Sequence, residues 1–252
     1  MLSVHLENGR VEIRRKPRPR RREGYALIRL ITAGICNTDL ELQRGYYHFR
    51  GTPGHEFVGE VVEADTPKLI GRRVVGEINI ACGRCDWCDR GLGRHCPHRT
   101  VLGIVKHPGA FSEFFTLPEV NLHVVPDSVS TEQAVFTEPL AAACEILDQV
   151  RIPKHSPVAV LGDGKLGLLV AQVLQAQSLK VHLYGKRKKK PAIPAYYWVV
   201  EATGSAHGLT EAIGMTRPRG TVILKSTVHG AVPVDTARVV VNEITLLGSR
   251  CG

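Results

Sequence analysis

The chain has 252 residues, 43% of them hydrophobic, and its Lys and Arg exceed its Asp and Glu by nine. That length can bury two modest cores. No apolar run approaches the ~20 residues of a membrane span, and the opening MLSVHLENGR lacks the apolar segment of a secretory signal. Seven cysteines without an export signal point to metal or chemistry rather than disulfides, and to a cytoplasmic location.

In chain order, residues 1–30 read as two short strands, around 11–13 and 25–30, joined by the proline-broken loop RRKPRPRRR at 14–22. This loop and KRKKK at 186–190 carry the positive excess. Neither is accompanied by a recognition helix or interleaved aromatics, so solvated loops are expected rather than a nucleic-acid contact. The next stretch, GICNTDLELQRGYYHFRGTPGHEFVG at 34–59, sets Cys36 beside Thr38 and Asp39 and places His55-Glu56 behind Gly54. Thiolate, imidazole and carboxylate are ligand types that Zn²⁺ accepts, and a catalytic zinc uses three plus an open position. A helical turn is expected at 38–43, capped by Thr38 or Asp39. Strands follow at 57–63 and from 73. Many short strands punctuated by Gly and Pro indicate a barrel-like β domain.

Cys82, Cys85, Cys88 and Cys96 then stand at intervals of three, three and eight. Four thiolates on one short loop can close a tetrahedral shell with no open position, the mark of a structural zinc. Disulfides at this spacing would be strained, and an iron–sulfur cluster is the competing reading by ligand type. Glu138, followed by Pro139, opens a helix in which Cys144 reads as packed; as a first-turn carboxylate Glu138 also suits the helix dipole. The pattern changes near 151–157. From Val158 an apolar strand runs into Gly162-Asp163-Gly164-Lys165-Leu166-Gly167 and an apolar helix. In this G-x-G-x-x-G turn Gly162 permits the tight bend, Gly164 lets the backbone approach a pyrophosphate, and Gly167 allows close helix–strand packing. The strand at 179–184 should end in the carboxylate that holds the ribose of NAD, but Gly185, Lys186 and Arg187 follow instead, which better suits the 2′-phosphate of NADP. A strand at 198–204, a helix at 206–217, a strand at 220–227 and a far strand at 239–247 complete a parallel α/β sheet. Cys251 has no visible partner.

The Cys36 loop, Gly54-His55-Glu56 and the three-three-eight ladder resemble the zinc-dependent medium-chain alcohol dehydrogenases, the family by which catalytic zinc held by two cysteines and a histidine is commonly illustrated. The resemblance implies a GroES-like β domain at 1–150 and a partial doubly wound Rossmann domain at 151–252. It implies two zinc ions, one catalytic and one structural, and NADP or NAD. Cys36 and His55 would be catalytic ligands, Thr38 the hydroxyl that relays the substrate proton, and Asp39 the carboxylate behind the imidazole. Phe136-Thr137-Glu138-Pro139 resembles the polyol, sugar and threonine dehydrogenase branch, in which Glu138 or the residue corresponding to Glu56 is the third ligand, directly or through water. Tyr46, Tyr47 and His48 follow the metal loop as candidates to line the substrate pocket, with packing the alternative for Tyr46 and Tyr47.

The implied activity is hydride transfer between a primary or secondary alcohol and NAD(P). The implied partner is a small-molecule alcohol or carbonyl compound, with a homo-oligomer left open and no membrane or nucleic acid. The family pattern has a further helix and strand between 184 and 198 and more chain after 252, so weak cofactor binding and low turnover are expected. The alternative is a non-catalytic zinc-binding descendant whose basic clusters contact anionic partners.

Overall fold

The computed structural model describes residues 1–187, 189–228 and 231–250; Lys188 of the second basic cluster and Cys251 lie outside the described residues. Its first element is one that the sequence reading passes over. Leu2–Glu7 pairs antiparallel with Arg10–Arg15, closing with Glu7 opposite Arg10. Asn8 and Gly9 form the turn with φ of 49° and 76°. A two-residue hairpin needs positive φ at both central positions, and Asn-Gly is the pair that adopts it most readily.

The chain divides into two compact units, Met1–Glu138 and Pro139–Gly252. The first is β-rich. Its main sheet is antiparallel, in the order Phe114–Pro118, Tyr25–Gly34, Glu56–Glu63, Arg73–Gly76, Leu122–Val124. Period-two alternation sends Phe57 and Val61 to one core, with Ala26, Ile28, Val74, Phe115 and Leu117, while Val58 packs with Val75, Val125 and Ala134. Phe57 and Phe115 meet edge to face, their centroids 4.8 Å apart. Each such side chain taken fully out of water contributes roughly 1.5–3 kcal/mol. This packing fixes the strand Glu56–Glu63, and therefore the His55-Glu56 pair at its start.

The second unit holds a parallel sheet in the order Lys180–Tyr184, Pro157–Leu161, Tyr196–Glu201, Thr216–Leu224, Thr245–Gly248. Val158 and Val160 face Ala143 and Ile146 of the helix Thr137–Gln149, and Val170 and Leu174 of the helix Lys165–Ala176. Ala159 and Leu161 face the opposite way, toward Ala212, Ile213 and Met215 of the helix Gly208–Met215. Helices on both faces leave residues 158–161 without exposed surface, so the strand is an unbroken apolar run. The fold class is therefore α/β, with an antiparallel first sheet and a parallel second one.

Residues 185–195 carry the chain from the edge strand Lys180–Tyr184 across Pro157–Leu161 to Tyr196–Glu201, with no helix among the described residues. Lys190 pairs with Glu211, and the Tyr196 hydroxyl meets the Tyr184 hydroxyl at 2.6 Å and His182 Nδ1 at 2.5 Å. The first contact ties the connection to the helix Gly208–Met215, and the others link the two strands that flank it.

Two readings differ from expectation: Cys144, read as packed, is exposed, and one element is not the strand that was expected. Residues 239–247 are not a continuous strand: Thr236–Val241 is helical, and the edge strand is Thr245–Gly248. Asp235 caps the helix by accepting from the Arg238 amide at 3.1 Å. That local bond overrides the strand preference of the Val239-Val240-Val241 run. Among the described residues no helix is long and apolar enough to cross a membrane.

Candidate active site

The four-cysteine ladder is built from one loop. Cys85 is the N-cap of the one-turn helix Asp86–Asp89, which contains Cys88, and Cys96 follows the 3₁₀ turn Gly93–His95. All four thiols are free, with sulfur separations of 3.5 Å (Cys85–Cys88), 3.6 Å (Cys85–Cys96) and 3.9 Å (Cys82–Cys88). Zinc–thiolate bonds of ~2.3 Å in a tetrahedron place sulfurs about 3.8 Å apart, so the loop already has the dimensions of a zinc shell. The Cys88 amide favours the Cys85 thiolate, but burial and the neighbouring thiols outweigh it and push Cys85 up to about 12. Burial opposes the Cys96 thiolate, yet the amides of Cys82 and His98 and two adjacent thiols bring it down to about 6. Four sulfurs this close, with the Cys85 thiol pushed up and the Cys96 thiol pulled down, are a site that a cation relieves.

The second cluster is assembled from distant parts of the sequence. Cys36 leaves the strand Tyr25–Gly34 in extended conformation as the N-cap of the helix Asn37–Gln43. His55 and Glu56 enter with the adjacent strand, where Glu56 lies opposite Gly34. Ligand atoms of Cys36, His55 and Glu56 all lie within 4.8 Å of one another. Asp39 organises them: Oδ2 accepts from the Cys36 amide at 2.9 Å, Oδ1 accepts from the Gly54 amide at 3.2 Å, and Oδ1 stands 3.5 Å from His55 Nδ1. His55 is 3% and Asp39 7% exposed. His55 Nδ1 is buried without a hydrogen bond of normal length, and the carboxylate beside it leaves Nε2 as the nitrogen for a metal. Burial works against a charged imidazole, but the Asp39 carboxylate and the Cys36 sulfur at the ring, with the charge of Glu138, hold its pKa well above the ordinary value. A thiol and several carboxyl groups around one buried imidazole are a donor set that fits zinc.

Thr38 Oγ1 lies 3.6 Å from Cys36 Sγ. Glu138, in the first turn of Thr137–Gln149, acts on His55 through its charge but is not among the three grouped donors. Glu41 pairs with Arg44, and the Tyr46 and Tyr47 rings lie against each other with centroids 4.1 Å apart. Gly34 was passed over in the sequence: a Cβ there would overlap the Glu56 carboxylate. Its signal was its position, two residues before a candidate ligand.

In the second unit, Gly162 has φ +105°, and a Cβ on it would overlap the Ala202 carbonyl; one on Gly167 would overlap the Gly162 carbonyl. Gly164 is the N-cap of the helix that begins with Lys165 and Leu166, and space around it is open. Strand, turn and helix N-terminus thus meet as a phosphate cradle requires. Beside it is a cavity of about 490 Å³ lined by Asp163, Leu183, Gly185, Lys186 and Arg187. Asp163 is the residue here that sequence reasoning missed; a carboxylate between two turn glycines was its only signal.

Residues 22–127 match the family described as the alcohol dehydrogenase GroES-like domain. The chain is 33% identical over 183 residues to the sorbitol dehydrogenase of Halalkalibacterium halodurans, covering 70% of this chain and 53% of that protein. It is 38% identical over 171 residues to the L-threonine 3-dehydrogenase of Chelativorans sp., covering 64% of this chain and 49% of that protein. It spans about half the length of these curated relatives. Among solved structures, a zinc-binding dehydrogenase of Sinorhizobium meliloti 1021 bound to NADP superimposes with a TM-score of 0.88 at 26% identity, covering 100% of this chain and 84% of that one. The alcohol dehydrogenase of Thermus sp. ATN1 gives 0.87 at 28% identity, covering 99% and 84%. By sequence, residues 22–127 match the alcohol dehydrogenase GroES-like domain family, and by fold the whole chain is similar to zinc-binding and alcohol dehydrogenases.

Proposed function

We propose that this chain carries out zinc-dependent hydride transfer between NAD(P) and a primary or secondary alcohol of the polyol, sugar or amino-alcohol kind. In this reading residues 1–150 are the metal-binding catalytic domain and 151–252 the dinucleotide domain. The observation that carries it is the gathering of Cys36, His55 and Glu56 within 4.8 Å, with Asp39 behind the imidazole. Bound there, zinc supplies a Lewis acid for the alcohol oxygen, and the nicotinamide supplies the hydride acceptor.

The protein's own groups do the rest. Cys36, His55 and Glu56 hold the ion, and the nearby charge of Glu138 supports a cation at the same place. Asp39 fixes the ring tautomer, keeping the proton on Nδ1. Thr38, two residues beyond Cys36, takes the alcohol proton and passes it toward solvent. The ladder closes its own shell and takes no part in the reaction. The polyol and amino-alcohol classes are supported by the sorbitol and threonine dehydrogenases among the relatives.

The test is metal analysis alongside activity. The purified protein is expected to hold about two zinc ions and to reduce NAD(P) with at least one polyol or amino alcohol. Cys36→Ser is expected to retain about one zinc and lose that activity with little change in melting temperature. One zinc in the parent, or undiminished activity in Cys36→Ser, overturns the reading.

A further inference from the structure

The sequence has no carboxylate after the strand Lys180–Tyr184, where a ribose-binding acid would be sought; Gly185 is there instead. In three dimensions the place is not empty of charge. A Cβ built on Gly185 would overlap Asp163 Oδ2 and stand 2.9 Å from Oδ1. The Asp163 carboxylate therefore occupies the space in which the side chain of residue 185 would begin. The two residues come together because Pro157–Leu161 and Lys180–Tyr184 are neighbouring parallel strands, with Leu161 opposite Tyr184. The Gly162 amide also donates to the Tyr184 carbonyl at 2.8 Å.

We propose that Asp163, reaching across from the glycine turn, is the acceptor for the adenosine ribose hydroxyls, and that it sets the balance between NAD and NADP against Lys186 and Arg187. This rests on the dinucleotide-binding reading above. Three further observations support it. Asp163 is exposed and accepts no hydrogen bond or ion pair within the described residues, so its oxygens are available to a ligand. It shares the 490 Å³ cavity with both cations. The cavity also lies at the carboxyl ends of parallel strands, beside the turn in which the pyrophosphate would sit, which is where such sheets bind ligands.

The chemistry gives the two cofactors opposite responses. A 2′-hydroxyl donates to a carboxylate, whereas a 2′-phosphate is repelled by it and attracted by the lysine and arginine. Gly185 is part of the device, because any side chain there would displace the carboxylate.

Titration of the full chain with NAD and with NADP at one fixed salt concentration tests this. In Asp163→Ser the dissociation constant for NAD is expected to rise about tenfold, the loss of one charge-assisted hydrogen bond, while that for NADP stays the same or falls. Gly185→Ala, whose backbone does not need positive φ, should shift the ratio in the same direction and add nothing in the Asp163→Ser background. Lys186→Glu should weaken NADP alone. Because Asp163 has no partner among the described residues, the melting temperature should stay within a degree or two. If the parent binds a dinucleotide but the ratio does not move in Asp163→Ser, the inference falls and the dehydrogenase reading stands. If the parent binds neither cofactor, both fall.

Discussion

The two donor clusters of the first unit differ in how far apart their ligands lie in the sequence. The ladder takes four sulfurs from residues 82–96, on a loop whose own turns set their spacing. The Cys36–His55–Glu56 set takes three unlike donors from two strands and a helix cap, and depends on sheet register to bring them together. A local, symmetric shell needs little beyond its metal and is closed when filled. A shell assembled by the fold costs nothing to hold in place once the sheet has formed, and can leave a position open. Removing the metal should therefore unfold structure at the first cluster and remove chemistry at the second.

The largest effect is expected at the ladder. Apparent binding free energies of structural zinc in small metal-folded domains reach ~10–16 kcal/mol, comparable with the whole stability of a domain. Cys85→Ala should lose one zinc, yield far less soluble protein and melt at least ~10 °C lower. Zinc count with a thermal melt checks it; a variant that loses the ion and melts like the parent would show that the loop folds without metal.

Asp39→Asn should act on the other cluster alone. Its carboxylate accepts from the Cys36 and Gly54 amides and stands beside His55 Nδ1. Asn retains one accepting oxygen and no charge, so one amide loses its partner and the imidazole loses its counterion. A drop of ~10–100-fold in zinc affinity at this cluster is expected, with a melting temperature lower by a few degrees and the ladder zinc retained. Chelator competition monitored by zinc release would show two classes of site moving independently. Equal weakening of both would mean that the two clusters are one cooperative structure.

The same contrast explains what could be read without a structure. The ladder was legible because its information is contiguous: three intervals on one loop specify it. The glycine turn was legible for the same reason, since strand, turn and helix follow one another in the chain. The hairpin at Asn8-Gly9 was equally local and simply missed. What could not be read depended on pairing between strands. Nothing in the sequence says that Gly34 lies opposite Glu56, or that Asp163 fills the space at Gly185; both follow from register between neighbouring strands. Residues 239–247 show the opposite failure, in which a β-branched run suggested a strand and one capping aspartate made it begin as a helix.

The smallest expected effect distinguishes the two glutamates. Gly34 lies opposite Glu56 in the ladder of the antiparallel sheet, and a methyl group there would overlap the Glu56 carboxylate and stand 3.1 Å from its Cβ. The overlapping atom is the end of a flexible side chain, so Glu56 can turn away while the strand stays in place. Gly34 does not have the positive φ that would strain an alanine. Gly34→Ala should then cost no more than ~1–2 kcal/mol in stability. If Glu56 is a ligand, zinc affinity at the Cys36 cluster should fall about tenfold, a loss of one charged contact, with the ladder unaffected. Glu138 supplies the control: it acts on His55 from another element and is untouched by a methyl group on Gly34. Unchanged zinc affinity in Gly34→Ala together with a loss in Glu138→Ala would assign the third ligand to the helix rather than the strand. The reverse pattern would leave Glu138 as a neighbouring charge that favours the cation without binding it.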